Sequence, residues 1–227
     1  MPYRQQRQLP WEADHHAPTI TNFGDQVFGA LPQNLWRQIE PHFVKDVALR
    51  QHSSRLGALT AFLGHHAGQE DSGWLERLAE AAVLHDVGKT RLDPTILGKG
   101  RDVSSADLDH IRNHAPLGAE LLETHGGEPF GLAAIVARYH HEAHDGSGYP
   151  HGLIGDAVPQ EARIVALCDV YDALRSPRSY KHAMEHDHAM RIILGGDNRT
   201  RPQQFDPYLL AVFERHSAAI AKLYHRN

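Results

Sequence analysis

Histidine and aspartate recur along this sequence at the ends of helix-like segments, and both residue types are common ligands of transition metals. The chain of 227 residues contains 19 histidines, a large number for its length. The candidate ligands are His52, His85, Asp86, His114, His140, His141 and Asp169. A lone histidine on an apolar face is usually a hydrogen-bonded core residue. However, several helices that each bury an unpaired ionisable group would be costly, and one shared metal centre satisfies them all.

The donors outnumber the roughly four to six coordination positions of one transition-metal ion, which indicates two neighbouring ions with a bridging carboxylate. Asp86 is the expected bridge because it lies directly beside His85. We expect the adjacent His140 and His141 to give one imidazole to each metal. Mixed imidazole and carboxylate ligands favour iron or manganese over zinc when the coordination number exceeds four. The expected cofactors are therefore two divalent ions, iron or manganese.

Such a centre predicts hydrolysis of a phosphoester. Two adjacent metals hold a bridging hydroxide and clamp the attacking and leaving oxygens of an in-line displacement at phosphorus. Asp86 is then a catalytic residue. Lys89 follows His85 by four residues and Asp86 by three, so on a continued helix its ammonium faces the same site and neutralises developing charge. Taken alone, Lys89 is more simply interpreted as a solvated surface lysine.

The segments that position these residues have the 3.6-residue period of amphipathic helices. Leu56, Leu59 and Leu63 share a stripe with His52, and comparable stripes lead to or surround the other candidate ligands. A further stripe over residues 209–223 predicts a closing C-terminal helix. Because no segment alternates with a two-residue period, we expect an all-α fold.

The chain length is typical of one main domain. Residues 1–40 are rich in Pro, Gln, Asn and Gly and lack a sustained period, which predicts an irregular N-terminal arm. Residues 41–227 are expected to form the catalytic domain. Within it, glycines and a proline predict an irregular loop at residues 144–156.

Composition excludes several classes of protein. Hydrophobic residues make up 41% of the chain and charged residues 22%, as in soluble globular proteins. The net charge of -5 argues against a nucleic-acid polymer as the partner, although a small phosphate ligand needs only a few local cations. Cys168 is the only cysteine, so no intramolecular disulfide can form. No apolar run approaches the roughly 20 residues of a membrane span, and residues 1–20 lack a signal-peptide core, so a cytoplasmic location is expected.

The sequence contains several motifs in a fixed order. They are HSSR at 52–55, LHDVGK at 84–89, His114 with Pro116 and Gly118, HHEAHDGSGYP at 140–150, and ARIVALCDVYDALRSPRSYK at 162–181. Together they resemble the HD-GYP subgroup of the HD hydrolases. An HD dipeptide alone is a weak signal, but HDVGK followed by HHE and DGSGYP is highly specific. The resemblance covers about residues 48–215.

The resemblance implies an HD-type helical bundle with a GYP loop, a buried dinuclear metal site formed by the candidate ligands named above, and hydrolysis of cyclic di-GMP to pGpG. Whether pGpG or GMP is the end product stays open. It places Lys89 beside the metal-bound phosphate and implies that Tyr149 and its loop contact the nucleotide. It also implies that Arg178 and Lys181 hold the phosphates. These side chains suit the roles, since a planar ring stacks on guanine, Arg offers a bidentate fork and Lys a point charge.

Three departures from the family pattern leave alternatives open. Ala143 replaces a basic residue after HHE, SPRSYK lacks the usual proline after its arginine, and Ala48 replaces a glutamate that some members carry one turn before the first histidine. One alternative is a module that keeps the metals but acts by docking onto GGDEF proteins. Another is an HD hydrolase for a different cyclic dinucleotide or nucleotide. Because alanine has no donor atom, Ala48 favours two metals over three, and Asp46 is poorly placed to replace the glutamate.

Overall fold

The computed structural model describes residues 23–43, 47–99, 102–127, 129–177 and 183–225. Over these ranges the regular secondary structure is helical, and the one β-type contact is an isolated bridge between Asp145 and Ile154. The expected all-α fold is therefore confirmed. None of the helices in this part of the chain combines the length and apolar character that crossing a membrane requires.

The α-helices are α1 (Phe23–Ala30), α2 (Gln33–Phe43), α3 (Val47–His66), α4 (Ser72–Val83), α5 (Pro94–Leu97), α6 (Ser105–Arg112), α7 (His114–Glu123), α8 (Phe130–Tyr139), α9 (Gln160–Arg175), α10 (His186–Gly195), α11 (Pro207–Arg215) and α12 (Ser217–His225). Short 3₁₀ helices span Val87–Arg91, Gly155–Ala157 and Pro202–Gln204.

Helices α3, α4, α8 and α9 form the centre of the molecule. Helix α3 packs against α4 and α9, α8 packs against α4 and α9, and α7 lies along α8. The apolar stripes seen in the sequence meet here, and Leu56, Leu78, Val136 and Leu167 are all 0% exposed. Burial of each such side chain stabilises the fold by about 1.5–3 kcal/mol, so the scaffold that carries the polar residues is rigid.

Polar caps fix where several of these helices begin. The Asp71 carboxylate accepts the Gly73 N–H at 2.9 Å at the start of α4, and Ser104 and Asp107 form a reciprocal capping box at the start of α6. A cap of this kind contributes about 1 kcal/mol. Helix α6 ends one residue before Asn113, and α7 begins at His114, so the joint between two helices presents that histidine.

Gly88 allows a close approach between the 3₁₀ helix after Asp86 and the start of α7. A Cβ atom on Gly88 would lie 1.9 Å from the His114 carbonyl oxygen and 2.4 Å from the Gly118 nitrogen. No side chain fits in that space. The glycine therefore brings the backbone beside Asp86 against the helix that carries His114.

The prediction of an irregular arm over residues 1–40 is wrong for its described part. Helices α1 and α2 occupy residues 23–30 and 33–43, and α1 packs against α3 and α4. Residues 1–22 lie outside the described part of the chain, and a domain boundary at residue 41 stays a prediction. The single C-terminal helix predicted over residues 209–223 is also divided, because α11 ends before His216 and α12 starts after it.

Candidate metal centre

The helices deliver the seven candidate ligands to one region. His52 lies on α3 and Asp169 on α9, whereas the others lie at or just beyond helix ends. His85 and Asp86 follow α4, His114 opens α7, and His140 and His141 follow α8. Side chains at helix ends can converge on one point without breaking the apolar packing of the helix faces.

The convergent side chains form two groups. The first histidine group consists of Asp86, His114, His140 and His141, and the second consists of His52, His85 and Asp86. Within each group, one ligand atom from every residue lies within 4.8 Å of the others. The two groups share Asp86, which is the arrangement expected of a bridging carboxylate.

His140 and His141 both belong to the first histidine group. The expectation that each would serve a different metal therefore differs from the geometry. Both residues follow the last turn of α8, and their rings lie 4.0 Å apart between centroids. The turn thus directs the two rings to the same side of Asp86.

Asp169 borders the second histidine group. Its Oδ1 atom lies 3.5 Å from Nε2 of His52, and its side chain is 21% exposed. The carboxylate is thus close enough to take part in a shared centre through His52, while its exposed part faces the adjoining cavity.

The imidazoles are held in the orientation that a metal requires. Nδ1 of His85 lies 2.7 Å from the Ala82 carbonyl oxygen, and Nδ1 of His114 lies 2.7 Å from that of Ile111. Nδ1 of His140 is 3.0 Å from the Ala137 carbonyl oxygen. A carbonyl only accepts, so each Nδ1 carries the proton and each Nε2 keeps its lone pair, as in metal-ligating histidines.

Two features show that these residues fit a cation. Nε2 of His114 faces Nε2 of His140 at 3.4 Å, although both atoms carry lone pairs in the tautomers just described. Oδ1 of Asp86 is buried and has no hydrogen-bond partner in the described part of the chain. Buried, unsatisfied acceptors that face one another are costly, and a divalent cation between them removes the cost.

The charge states of His140, His141 and Asp86 agree with this interpretation. Burial, reinforced by neighbouring histidines, lowers the pKa of His140 and His141 well below the ordinary value, which keeps both imidazoles neutral and able to bind a metal. Burial opposes ionisation of Asp86, but Lys89 and His85 outweigh it and hold the pKa of that carboxyl well below its usual range. Asp86 is therefore an anion.

Lys89 reaches the site by a route that differs from the sequence prediction. Helix α4 does not continue to Lys89, which lies in the 3₁₀ helix Val87–Arg91. Its ammonium nevertheless donates to Oδ2 of Asp86. Because a 3₁₀ helix has about three residues per turn, Lys89 lies one turn after Asp86. Its ammonium is therefore within reach of the carboxylate that the two histidine groups share.

A network that the sequence interpretation missed holds His52. Nδ1 of His52 lies 2.7 Å from Oδ2 of Asp172, a fully buried carboxylate on α9. Arg55 donates to both oxygens of Asp172 at 2.6 and 2.9 Å, and the Ser176 hydroxyl donates to Oδ2 at 2.9 Å. Burial opposes ionisation of Asp172, but His52 and Arg55 hold its pKa far below the usual range.

Tyr149 packs on a ligand of the first histidine group. Its ring stacks on His141 with centroids 4.6 Å apart, and its backbone N–H donates to the His141 carbonyl oxygen at 3.1 Å. The guanidinium of Arg112 lies 5.3 Å from the Tyr149 ring centroid. Besides the substrate contact implied by the resemblance, which stays a prediction, Tyr149 therefore fixes the position of His141.

Glu142 shapes the loop that carries Tyr149. Its buried carboxylate accepts the backbone N–H groups of His151 at 2.6 Å and Leu153 at 2.9 Å. Gly148 lies so close to this backbone that a Cβ would be 2.3 Å from the Ala143 nitrogen. The loop is thus held against the residues that follow α8.

A cavity of about 430 Å³ opens beside the first histidine group. His140, His141, Asp169 and Tyr149 contribute to its lining. Its remaining walls include Arg112 and a loop around Arg199, neither of which sequence reasoning identified. Arg178 and Lys181, the predicted phosphate contacts, lie outside the described residues. The volume is within the usual range of small-ligand sites.

Comparison with known proteins identifies the fold and the family. The family model described as HD domain matches residues 41–209. The cyclic di-GMP phosphodiesterase response regulator RpfG of Xanthomonas campestris pv. campestris is 38% identical over 178 residues, which cover 74% of this chain and 46% of that protein. The 3'3'-cGAMP-specific phosphodiesterase 3 of Vibrio cholerae is 35% identical over 144 residues, covering 63% of this chain and 30% of that protein. The chain thus spans less than half the length of either relative.

Solved structures show the same architecture. Bd1817, an HDG"Y"P protein from Bdellovibrio bacteriovorus, superimposes with a TM-score of 0.57 at 19% sequence identity, covering 86% of this chain and 69% of that one. At that identity the match establishes the fold alone. Taken with the family model, which matches most of the chain, it confirms the resemblance inferred from the HD and GYP motifs, and the chain belongs to the HD domain family.

Proposed function

We propose that this protein is a metal-dependent phosphodiesterase that hydrolyses cyclic di-GMP to pGpG and then to GMP. The observation that carries the proposal is the pair of histidine groups that share Asp86 and adjoin a cavity large enough for a nucleotide. The relative named as a cyclic di-GMP phosphodiesterase supports the choice of substrate. In the first step, water adds to one phosphodiester, the P–O3′ bond breaks, and the linear product keeps a 5′-phosphate.

We assign the metal ligands as the seven residues predicted from the sequence. They are His52, His85, Asp86, His114, His140, His141 and Asp169. We expect two ions, iron or manganese, because the donors are imidazoles and carboxylates in two groups with one shared member. When bound, the metals supply Lewis-acid activation of water and charge compensation at the phosphoryl group.

The chain's own residues contribute binding and charge. Lys89, paired with Oδ2 of Asp86, supplies a cation next to the centre that stabilises negative charge developing at phosphorus. Tyr149 holds His141 and lines the cavity where the nucleotide is expected. Arg178 and Lys181 are proposed to hold the phosphates, as the family resemblance implies.

A second candidate substrate is 3'3'-cGAMP. The relative from Vibrio cholerae that is 35% identical carries that specificity in its name. The two substrates differ in one base, whereas the metal centre acts on the phosphodiester that they share. The ligands described above thus suit either molecule, and the choice between them depends on the walls of the cavity.

The test combines metal analysis with turnover. The protein is purified without oxygen, its metals are measured, and a portion is stripped with chelator and reloaded with iron(II), manganese(II) or zinc(II). Each form is assayed by chromatography with cyclic di-GMP, 3'3'-cGAMP and cyclic di-AMP. We expect about two ions per chain, loss of turnover on stripping, recovery with iron or manganese, and cyclic di-GMP as the fastest substrate.

Two outcomes would contradict the proposal in different ways. If the metal-loaded protein hydrolysed none of the three dinucleotides, the phosphodiesterase assignment would be wrong, and a docking role toward GGDEF proteins would be favoured. If 3'3'-cGAMP were hydrolysed fastest, the phosphodiesterase assignment would be correct and the assignment of cyclic di-GMP as the substrate would be wrong.

A further inference from the structure

The loop between α10 and α11 forms part of the cavity beside the metal centre. Asp197, Asn198 and Arg199 line the same cavity as His140, His141 and Asp169. None of the first three belongs to the predicted ligands or phosphate contacts. Since a phosphodiester at the histidine groups would direct a base into this cavity, the loop is placed to contact that base.

The loop is held in place before any ligand binds. The Asp197 carboxylate accepts the backbone N–H groups of Arg199 at 2.8 Å and Thr200 at 2.7 Å. Arg201 donates to Oδ2 of Asp145 at 3.0 Å, which ties the loop to the segment that carries Tyr149. A preorganised loop loses little entropy when it binds a ligand.

Arg199 is the side chain of this loop that is available for recognition. Asp197 and Arg201 are engaged in the contacts just described, whereas the guanidinium of Arg199 has no ion-pair or hydrogen-bond partner within the described ranges. Arg199 is also exposed. Asn198 beside it offers one amide donor group and one acceptor.

We propose that Arg199 determines base specificity by recognising a guanine of the bound dinucleotide. This inference rests on the proposed phosphodiesterase function. Guanine presents two adjacent acceptors, O6 and N7, that match the two parallel N–H groups of a guanidinium. Adenine presents a donor at N6 in place of O6, so the same guanidinium cannot form both bonds. An arginine in this position therefore favours guanine over adenine.

A base contact and a phosphate contact predict different results. All cyclic dinucleotides contain the same phosphates, so an arginine that binds phosphate increases kcat/KM equally for each of them. An arginine that hydrogen-bonds to guanine increases kcat/KM most for cyclic di-GMP, less for 3'3'-cGAMP, and least for cyclic di-AMP. The ratio of kcat/KM between substrates thus separates the two roles.

The experiment compares Arg199→Ala and Arg199→Gln with wild type, using the metal-loaded protein and all three dinucleotides. Arg191→Ala, an exposed arginine on α10 that does not line the cavity, is the matched control. We expect Arg199→Ala to lower kcat/KM for cyclic di-GMP by about 10-fold or more, mainly through KM, with little change for cyclic di-AMP. Arg199→Gln should improve cyclic di-AMP relative to cyclic di-GMP, because a carboxamide can pair with N6 and N7 of adenine.

An equal loss for all three substrates in both variants would overturn the inference and assign Arg199 to a phosphate. An unchanged kcat/KM for cyclic di-GMP would remove Arg199 from the site. If wild type hydrolysed no cyclic dinucleotide, the proposed function would fail first and the inference with it. Metal content and thermal unfolding, which should match wild type in every variant, show that a change in the ratio does not arise from the metal centre or the fold.

Discussion

The two histidine groups share Asp86 but are supported in different ways. In the first group, His114 and His140 donate their Nδ1 protons to backbone carbonyls three or four residues earlier in the chain. In the second group, His52 donates to the side chain of Asp172, which is 120 residues away in sequence. The first group is thus oriented by local backbone, whereas the second combines His85, which is held by the Ala82 backbone carbonyl, with His52, which is held by a side-chain network.

This difference determines which group can be disturbed by substituting a residue that is not itself a metal ligand. No side-chain change removes a backbone carbonyl, so the Nδ1 contacts that orient His114 and His140 persist when other side chains are substituted. The second group depends on Asp172 together with Arg55 and Ser176. It is therefore the more vulnerable of the two, and its metal should be the easier one to lose.

The largest effect is expected from Asp86→Asn, since Asp86 is the residue that both groups share. An amide keeps the shape but loses the charge and one acceptor oxygen. We expect turnover to fall by at least about 100-fold and metal content to drop in both groups. Elemental analysis and a turnover assay measure this. Asp187→Asn, an exposed carboxylate on α10, is the control and should behave as wild type.

A variant with Asp86→Asn that kept both metals and near-normal turnover would show that the centre does not depend on the shared carboxylate. Its thermal unfolding should be measured as well. Asn at this position also leaves Lys89 without its anionic partner, and a destabilised fold would lower metal content for a different reason.

Asp172→Asn should separate the two groups. The amide no longer fixes the Nδ1–H of His52 as a carboxylate does, and loss of such a supporting partner typically weakens metal affinity by about 10–100-fold. We expect the weaker of the two metal-binding steps to lose affinity while the stronger is kept. Titration of the stripped protein with manganese(II) resolves the two steps. Ser176→Ala, which removes one hydrogen bond to the same carboxylate, should give a smaller shift.

If Asp172→Asn weakened both metal-binding steps equally, the prediction that the two groups respond independently would be wrong. Removal of the charge also leaves Arg55 buried beside a neutral group, and breaking a buried pair costs about 3–5 kcal/mol. Unfolding measured on the metal-free protein reports this cost separately from metal affinity.

The first histidine group could be predicted from the sequence because its cause is local. Apolar stripes end at His114 and at His140, and a polar group at the end of a buried helix must find a partner. The same holds for His85 of the second group. The same reasoning gave the all-α fold. The pairing of His140 and His141 could not be predicted, since the direction of each ring depends on how the chain leaves α8.

The supports of the second group come from tertiary contacts between α3 and α9. Arg55 lies one turn after His52, and Asp172 one turn after Asp169, so both spacings were visible in the sequence. The roles of Arg55 and Asp172 depend on which faces of α3 and α9 contact each other, and a local sequence pattern does not contain that information. The cavity loop with Arg199 was missed for a similar reason, because exposed polar loops have no periodicity to interpret.

The N-terminal helices were missed although a signal was present. Leu35, Ile39 and Phe43 are spaced four residues apart and are all 0% exposed. Pro41 lies inside α2, and polar residues flank this short stripe. Because proline is unfavourable in a helix interior, the sequence did not predict a helix here. Packing against the rest of the molecule outweighed the low intrinsic propensity.

The smallest effect concerns the number of metals that the second group can hold. Ala48 is exposed in the first turn of α3, four residues before His52 and on the same side of the helix. Asp46, the nearest other carboxylate in sequence, lies outside the described residues. We therefore expect two ions in wild type and a third in Ala48→Glu, because the glutamate adds an oxygen donor on the His52 side alone. Elemental analysis and anomalous scattering measure the count.

Ala48→Gln is the matched control for Ala48→Glu, since it has the same shape without the charge and should stay at two ions. Stability should change by less than about 0.5 kcal/mol in both variants, as is usual at exposed positions. A third ion already present in wild type would show that ligands other than residue 48 complete that site. If Ala48→Glu kept two ions, the first turn of α3 would not face the second group, and the limit on metal number would lie in the distance between α3 and Asp169, not in the missing carboxylate.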